Sequence, residues 1–148
     1  MADVRWLDAE EQRTWRAFLA ATQLLDEALD RELQRDAGMP HTYYMVLAML
    51  SEAPGRSLRM SDLARITRSS PSRLSHAVAR LEESGWVRRD RSESDRRGSF
   101  AVLTDRGFGV LAAAAPGHVR EVRARLFDRL TAQQVRSLRE ICERVLDT

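Results

Sequence analysis

At 148 residues, with 43% apolar and 31% charged side chains, the chain is long enough to bury a core and too apolar to be disordered. No apolar run reaches bilayer length. The opening MADVRWLDAEEQ lacks the basic-then-apolar pattern of a secretion signal, and the single Cys142 excludes an intrachain disulfide, so a cytoplasmic location is expected. Net charge is +2 but uneven: residues 1–55 hold five Arg against ten acids, residues 56–106 twelve against seven, and residues 107–148 seven against five.

In chain order, Asp8 opens a first helix with Glu11 as capping-box partner. Trp15, Phe18, Thr22, Leu25, Leu29 and Leu33 then recur at alternating spacings of three and four, the pattern of a seam for another helix. Gly38, Met39 and Pro40 break the chain. A second helix, His41 to Glu52, carries Tyr44, Leu47 and Leu50 on one side and ends at Ala53, Pro54 and Gly55.

The basic stretch follows. Ser61 is the expected N-cap of a short helix with Asp62 in its first turn and Leu63, Ala64 and Ile66 on its apolar side. After the polar break Thr67–Ser69, Ser69 or Ser70 caps the next helix and Pro71 suits its first turn. There Leu74, Val78 and Leu81 share one side, while Ser69, Ser72, Arg73, His76, Arg80 and Glu83 fall largely on the other. Gly85 ends the helix. Trp86 to Asp90 reads as a strand, Arg91 to Gly98 as a loop and Ser99 to Leu103 as the return strand. Helix, turn, helix and hairpin in that order make a winged helix-turn-helix, in which the second helix would read a major groove.

A long helix begins at Thr104 or Asp105 with Phe108, Leu111, Ala112 and Ala115 as apolar positions, and Pro116 with Gly117 is expected to interrupt it. It resumes with Val119, Val122, Leu126 and Leu130. Thr131 and Gln134 form a capping box for a last helix whose apolar side is Val135, Leu138, Ile141, Cys142 and Val145. The fold class is therefore mostly α with a small β-hairpin wing, one domain over residues 1–148. Residues 41–103 form the winged helix-turn-helix, and residues 8–36 and 104–148 form dimerisation helices. Seams this long exceed what a lone winged helix needs, and two-fold homodimers are the commonest oligomers.

Two segments, LSHAVARLEESGWVRR (Leu74 to Arg89) and DRRGSFAVLTDRG (Asp95 to Gly107), resemble the multiple-antibiotic-resistance regulator (MarR) family of bacterial transcription factors. Ala101 stands where the family often has Val. The flanking helices match in order and approximate length. The resemblance implies a homodimer with intertwined terminal helices, bound as a repressor to double-stranded DNA at a pseudo-palindromic operator. It also implies a small aromatic effector that releases the DNA; the residues themselves show no catalytic constellation, so neither enzymatic activity nor a cofactor is expected.

The residues expected to touch DNA are Ser70, Ser72, Arg73, Ser75, His76 and Arg80 on the recognition helix, and Asp95, Arg96 and Arg97 at the wing tip. Arg73 and His76 would reach base edges; Arg80, Arg88 and Arg89 would reach only backbone. From the resemblance, Arg97 would enter the minor groove, held by Asp95. Trp15, Phe18, His41 and Tyr44, with Tyr43, are the aromatic candidates for an effector pocket. His41, His76 and His118 have no metal-binding spacing on one element, and there is neither a nucleophile motif nor a Gly-rich phosphate loop. Cys142 is expected to be a small core residue rather than a redox sensor. Two other readings stay open at this point. One is a protein-interaction module on the same scaffold. The other is an architectural DNA-binding protein with little sequence preference.

Overall fold

The computed structural model, which describes residues 3–91 and 98–147, contains six α-helices and a three-stranded antiparallel sheet. Helix α1 (Ala9–Ala37) is entered through the expected capping box: Glu11 N donates to Asp8 Oδ1 at 2.8 Å, and Asp8 N to Glu11 Oε2 at 2.9 Å. Helix α2 spans His41–Glu52 as the pattern indicates, with Tyr44, Leu47 and Leu50 buried.

A three-residue strand β1 (Ser57–Arg59) precedes α3 (Met60–Ile66) and is not legible in the sequence. It pairs with β3, matching Leu58 to Ala101, so its partner lies more than forty residues away. The strand also corrects the expected start of α3. The helix leaves β1 directly at Met60, Arg59 holds the cap position without a capping side-chain bond, and Ser61 lies inside the helix. Leu63 and Ala64 are buried, but Ile66 is 42% exposed at the helix end, outside the expected apolar side.

Helix α4 (Pro71–Glu83) starts as predicted: Ser70 Oγ accepts from Arg73 N at 3.2 Å and Pro71 sits in the first turn. It buries Leu74, Ala77, Val78 and Leu81. It ends in a Schellman turn around Gly85 (φ +75°), where Trp86 N donates to Leu81 O and Gly85 N to Glu82 O. Because that turn consumes Trp86, strand β2 runs Val87–Arg91, one residue later than expected. Strand β3 (Ser99–Leu103) pairs with β2 from Val87–Leu103 to Arg91–Ser99 and forms the centre of the sheet. Ala101 is fully buried there.

Thr104 ties the sheet to α5 (Asp105–Arg125). Its hydroxyl donates to Gly85 O at 2.7 Å and accepts from Gly107 N at 3.0 Å. A Cβ on Gly107 would lie 2.0 Å from Trp86 O, so only glycine fits where the first turn of α5 meets the backbone after α4. Contrary to expectation, α5 is not interrupted at Pro116. Ala112 and Pro116 both lie on the exposed side, so the carbonyl that loses its N–H partner faces water rather than a dry core. Helix α6 (Ala132–Leu146) begins with the predicted capping box of Thr131 and Gln134.

The chain divides into two compact units. Asp30–Arg120 contains a continuous core that includes Leu33, Leu47, Leu63, Leu74, Val78 and Leu103. Met1–Leu29 and Glu121–Thr148 form the other unit. Among its described residues, Trp6, Trp15, Phe18, Leu24, Ile141 and Val145 are exposed, Trp6 at 84% and Val145 at 65%. Cys142 is exposed on the same helix as Ile141 and Val145, so it is not a core residue of a single chain.

Candidate nucleic-acid interface

Helix α4 owes its orientation to its amphipathic pattern. Leu74, Val78 and Leu81 face the core, which leaves Ser72, Arg73, Ser75, His76 and Arg80 exposed. Ser72, Arg73 and His76 line one groove of about 640 Å³ together with Thr42 and Tyr43 of α2 and Thr67, Arg68 and Ser69 of the turn. The groove is concave, and its lining mixes apolar side chains with hydroxyls, an imidazole and two guanidiniums. Such an arrangement offers donors to phosphate oxygens and to the acceptor atoms of base edges.

The other expected contacts differ in how free they are. Ser70 lies at the start of α4, and its oxygen is engaged in capping. Arg80 is exposed but pairs with Glu83 at 3.1 Å on its own helix. Ser75 Oγ accepts from Arg89 at 3.0 Å. Arg88 pairs with Asp90 at 2.8 Å. That hydrogen-bonded pairing holds the Asp90 carboxyl below its usual range and raises the guanidinium. Arg89 is not a free backbone-contact group: its guanidinium is turned inward onto α4, to Ser75 and Glu82. Asp95, Arg96 and Arg97 lie outside the described residues.

Sequence reasoning missed the roles of Thr42, Tyr43, Thr67 and Arg68 in this groove. The sequence groups Tyr43 with the effector aromatics because helical spacing alone does not say which side of α2 faces the turn. Arg68 adopts φ +54° between α3 and α4, a left-handed conformation usually signalled by Gly or Asn, and the TRSS break contains neither.

The aromatic candidates separate into two groups. Trp15 and Phe18 stack on each other at 6.4 Å in the terminal-helix unit. His41 and Tyr44 lie in the other unit, where both rings pack on His118, at 5.4 Å and 4.3 Å respectively. His118 is buried, with no hydrogen-bond partner for Nδ1 among the described residues. Its burial, reinforced by neighbouring His41, lowers its pKa from the usual value. Burial, with Glu32 nearby, raises that of Tyr44. Within the same unit, a cavity of about 290 Å³ is lined by residues including Glu32, Asp36, Val110, Ala114, Gly117 and Arg120. Among the described residues no cluster of His, Cys, Asp and Glu could hold a metal ion, and no helix is long and apolar enough to cross a membrane.

Comparison with known proteins gives a consistent result. A MarR family model matches residues 37–98. The chain is 57% identical to Sco3205, a MarR family transcriptional regulator from Streptomyces coelicolor solved in complex with DNA. The TM-score is 0.95, over 97% of this chain and 91% of that one. It is 41% identical to AbsC, a MarR family transcriptional regulator from the same organism, with a TM-score of 0.92 over 97% of each chain. It is also 36% identical over 108 residues to the HTH-type transcriptional repressor Rv2887 of Mycobacterium tuberculosis, covering 73% of this chain and 76% of that protein.

Proposed function

Because the chain belongs to the MarR family of transcriptional regulators, we propose that it acts as a homodimeric repressor that reads a pseudo-palindromic DNA operator with α4 and releases it to a small aromatic effector. The observation that carries this reading is the two-sided α4, anchored by four buried apolar residues and exposing Ser72, Arg73 and His76 into one groove beside Arg68. In this reading Arg73 and His76 reach base edges in the major groove, and Ser70 and Ser72 donate to phosphates. Wing residues Asp95, Arg96 and Arg97 approach the flanking minor groove. The basic balance of residues 56–106 supplies the long-range attraction to phosphate.

Dimerisation by residues 8–36 and 104–148 is supported by the apolar side chains left exposed on α1 and α6. Patches of that kind normally mark an interface. For the effector, the supporting feature is the cluster of His41 and Tyr44 on His118, with the 290 Å³ cavity lined by its sequence neighbour Gly117. An effector acts only through different affinities for the DNA-competent and incompetent shapes.

The test is selection of genomic fragments on the purified protein at moderate salt, followed by sequencing. Enrichment of a few inverted repeats supports the reading. Uniform retention would mean an architectural protein, and no retention would mean an interaction module. A thermal-shift screen of small aromatic compounds, with DNA-release assays on the hits, tests the effector. Ligands that stabilise the protein without altering DNA affinity would contradict it.

A further inference from the structure

The contact between strand β2 and α4 constrains what one reading residue can recognise. Arg89 of β2 reaches back to α4 with three interactions: its Nη2 donates to Ser75 O and Ser75 Oγ, both at 3.0 Å, and its Nε lies 3.3 Å from Glu82 Oε1. Both ends of this strut are about one-third exposed, so it is partly shielded from water.

Ser75 itself is exposed on the side of α4 assigned to DNA. A serine hydroxyl ordinarily serves as donor or acceptor, because it has one hydrogen and two lone pairs and rotates to suit its partner. Here the oxygen is turned to a permanent cation. A hydroxyl hydrogen aimed at that guanidinium would meet like charge, so the O–H points away from Arg89, toward the exposed side. Among the described residues that hydrogen has no acceptor.

We propose that Arg89 is a positioning residue that orients Ser75 as a hydrogen-bond donor, so that this point of α4 favours an acceptor oxygen or nitrogen on DNA over an amino group. This rests on the reading of α4 as the DNA-recognition helix. The shared chemistry of the ligand is a hydrogen-bond acceptor. Guanine O6 or N7, thymine O4 and adenine N7 present one in the major groove, and so does a phosphate oxygen. The amino groups of cytosine and adenine are the atoms discriminated against.

The experiment is a double-mutant cycle of Ser75→Ala and Arg89→Met. Affinity is measured against the selected operator and all its single-base variants, with melting curves of each protein alongside. Ser75→Ala is expected to weaken operator binding about three- to tenfold, the range of one net hydrogen bond. In the Ser75→Ala background, Arg89→Met should cost markedly less than in the wild type. Loss of preference at one base per half-site assigns the acceptor to a base edge; equal weakening of every variant assigns it to phosphate.

Arg89→Lys keeps a cationic donor and should restore most of the coupling that Arg89→Met removes. If Arg89→Met does not fold, the cycle is closed on the DNA side with 7-deazaguanine, 6-thioguanine, 7-deazaadenine, 4-thiothymine and methylphosphonate substitutions. One of these must cost affinity in the wild-type protein and nothing in the Ser75→Ala variant. Three results overturn the proposal: no effect of Ser75→Ala, strict additivity with Arg89→Met, or a lost preference that follows an amino group. Failure of the wild-type protein to bind any DNA would instead overturn the regulator reading beneath it.

Discussion

The two units of this chain solve the burial problem differently. In Asp30–Arg120, the apolar positions of α2, α3 and α4 close on one another and on the sheet, and Leu47, Leu50, Leu63 and Val78 are completely buried. In the unit made from the two ends of the chain, equally regular helices leave Trp15, Phe18, Ile141 and Val145 more than half exposed. Capping does not separate them: α1 and α6 carry side-chain capping boxes and stay exposed, whereas α2 and α3 lack a side-chain cap and are well buried. What differs is the supply of partners: the first unit contains its own, and we propose that the second finds them in another copy of the chain. The lesson is that an apolar seam read from sequence says that a helix will be covered, not that its own chain will cover it.

The largest expected effect comes from cutting the unclosed unit. Deleting residues 131–148 removes α6 and should abolish the dimer in sedimentation analysis, giving a monomer or an insoluble product. A soluble truncated dimer with normal DNA affinity would show that the exposed helices are not the interface.

The closed unit is most vulnerable at Gly107. An added Cβ would meet the Trp86 carbonyl oxygen at 2.0 Å and Leu103 Cδ1 at 2.8 Å, and the first of these is backbone that cannot simply rotate away. Gly107→Ala is expected to destabilise the fold by about 3 kcal/mol, the upper range of ordinary overpacking, as a large drop in melting temperature. Gly109→Ala, where nothing lies within 4 Å of the added atom, serves as the control and should show no loss.

Within the closed unit, the reading surface can be separated from the scaffold. Arg73→Ala should leave stability nearly unchanged and lose about 1–3 kcal/mol of discrimination at one base position per half-site. Equal weakening on all sequences would place Arg73 on phosphate instead. Arg97→Ala should reduce binding and the salt slope while leaving major-groove preferences intact.

A smaller effect is expected from His118. Its folded pKa lies below the ordinary 6.5 because burial disfavours the charged ring. The unfolded chain therefore binds the extra proton more readily. The contribution is fully present above about pH 6.5 and is lost as pH falls toward the lowered folded value. Denaturant titrations across that window should show stability rising with pH, and His118→Phe should flatten the rise. An unchanged slope in the variant would remove His118 from the account.

The smallest effect tests the turn. Arg68→Gly should relieve the left-handed backbone at φ +54°, but the glycine also costs unfolded-state entropy, so stability should change by less than about 1 kcal/mol. Its DNA affinity should fall if the groove carries phosphate.

What is legible in the sequence is mostly local. The capping pairs Asp8–Glu11 and Thr131–Gln134, the Ser70 cap before Pro71, and the glycine exit at Gly85 each involve residues within a few positions of one another. The bounds of α2 and β3 follow from patterns of comparable range. Strand β1 escapes a sequence reading because three residues carry no periodicity and their pairing with β3 is long-range. The same limit hides the inward turn of Arg89, which reads as one more exposed arginine until β2 is folded against α4. The interruption expected at Pro116 does not occur because proline's cost depends on where the freed carbonyl points, and sequence alone does not give that direction. The candidate interface divides along the same line. Ser72, Arg73 and His76 can be placed from helical spacing, whereas Thr42, Tyr43 and Arg68 join them only through the packing of α2 beside the turn.

In the proposed complex, two copies paired by their terminal helices present two α4 helices to one DNA duplex. The most direct measurement is footprinting of the protein on its selected genomic sites, with the stoichiometry of the complex determined in parallel. The expected result is two protein chains per site and an inverted repeat whose half-sites are centred about one helical turn, roughly 10–10.5 base pairs, or a multiple of it, apart. A single chain protecting one unrepeated half-site, or protection with no sequence in common, would contradict it.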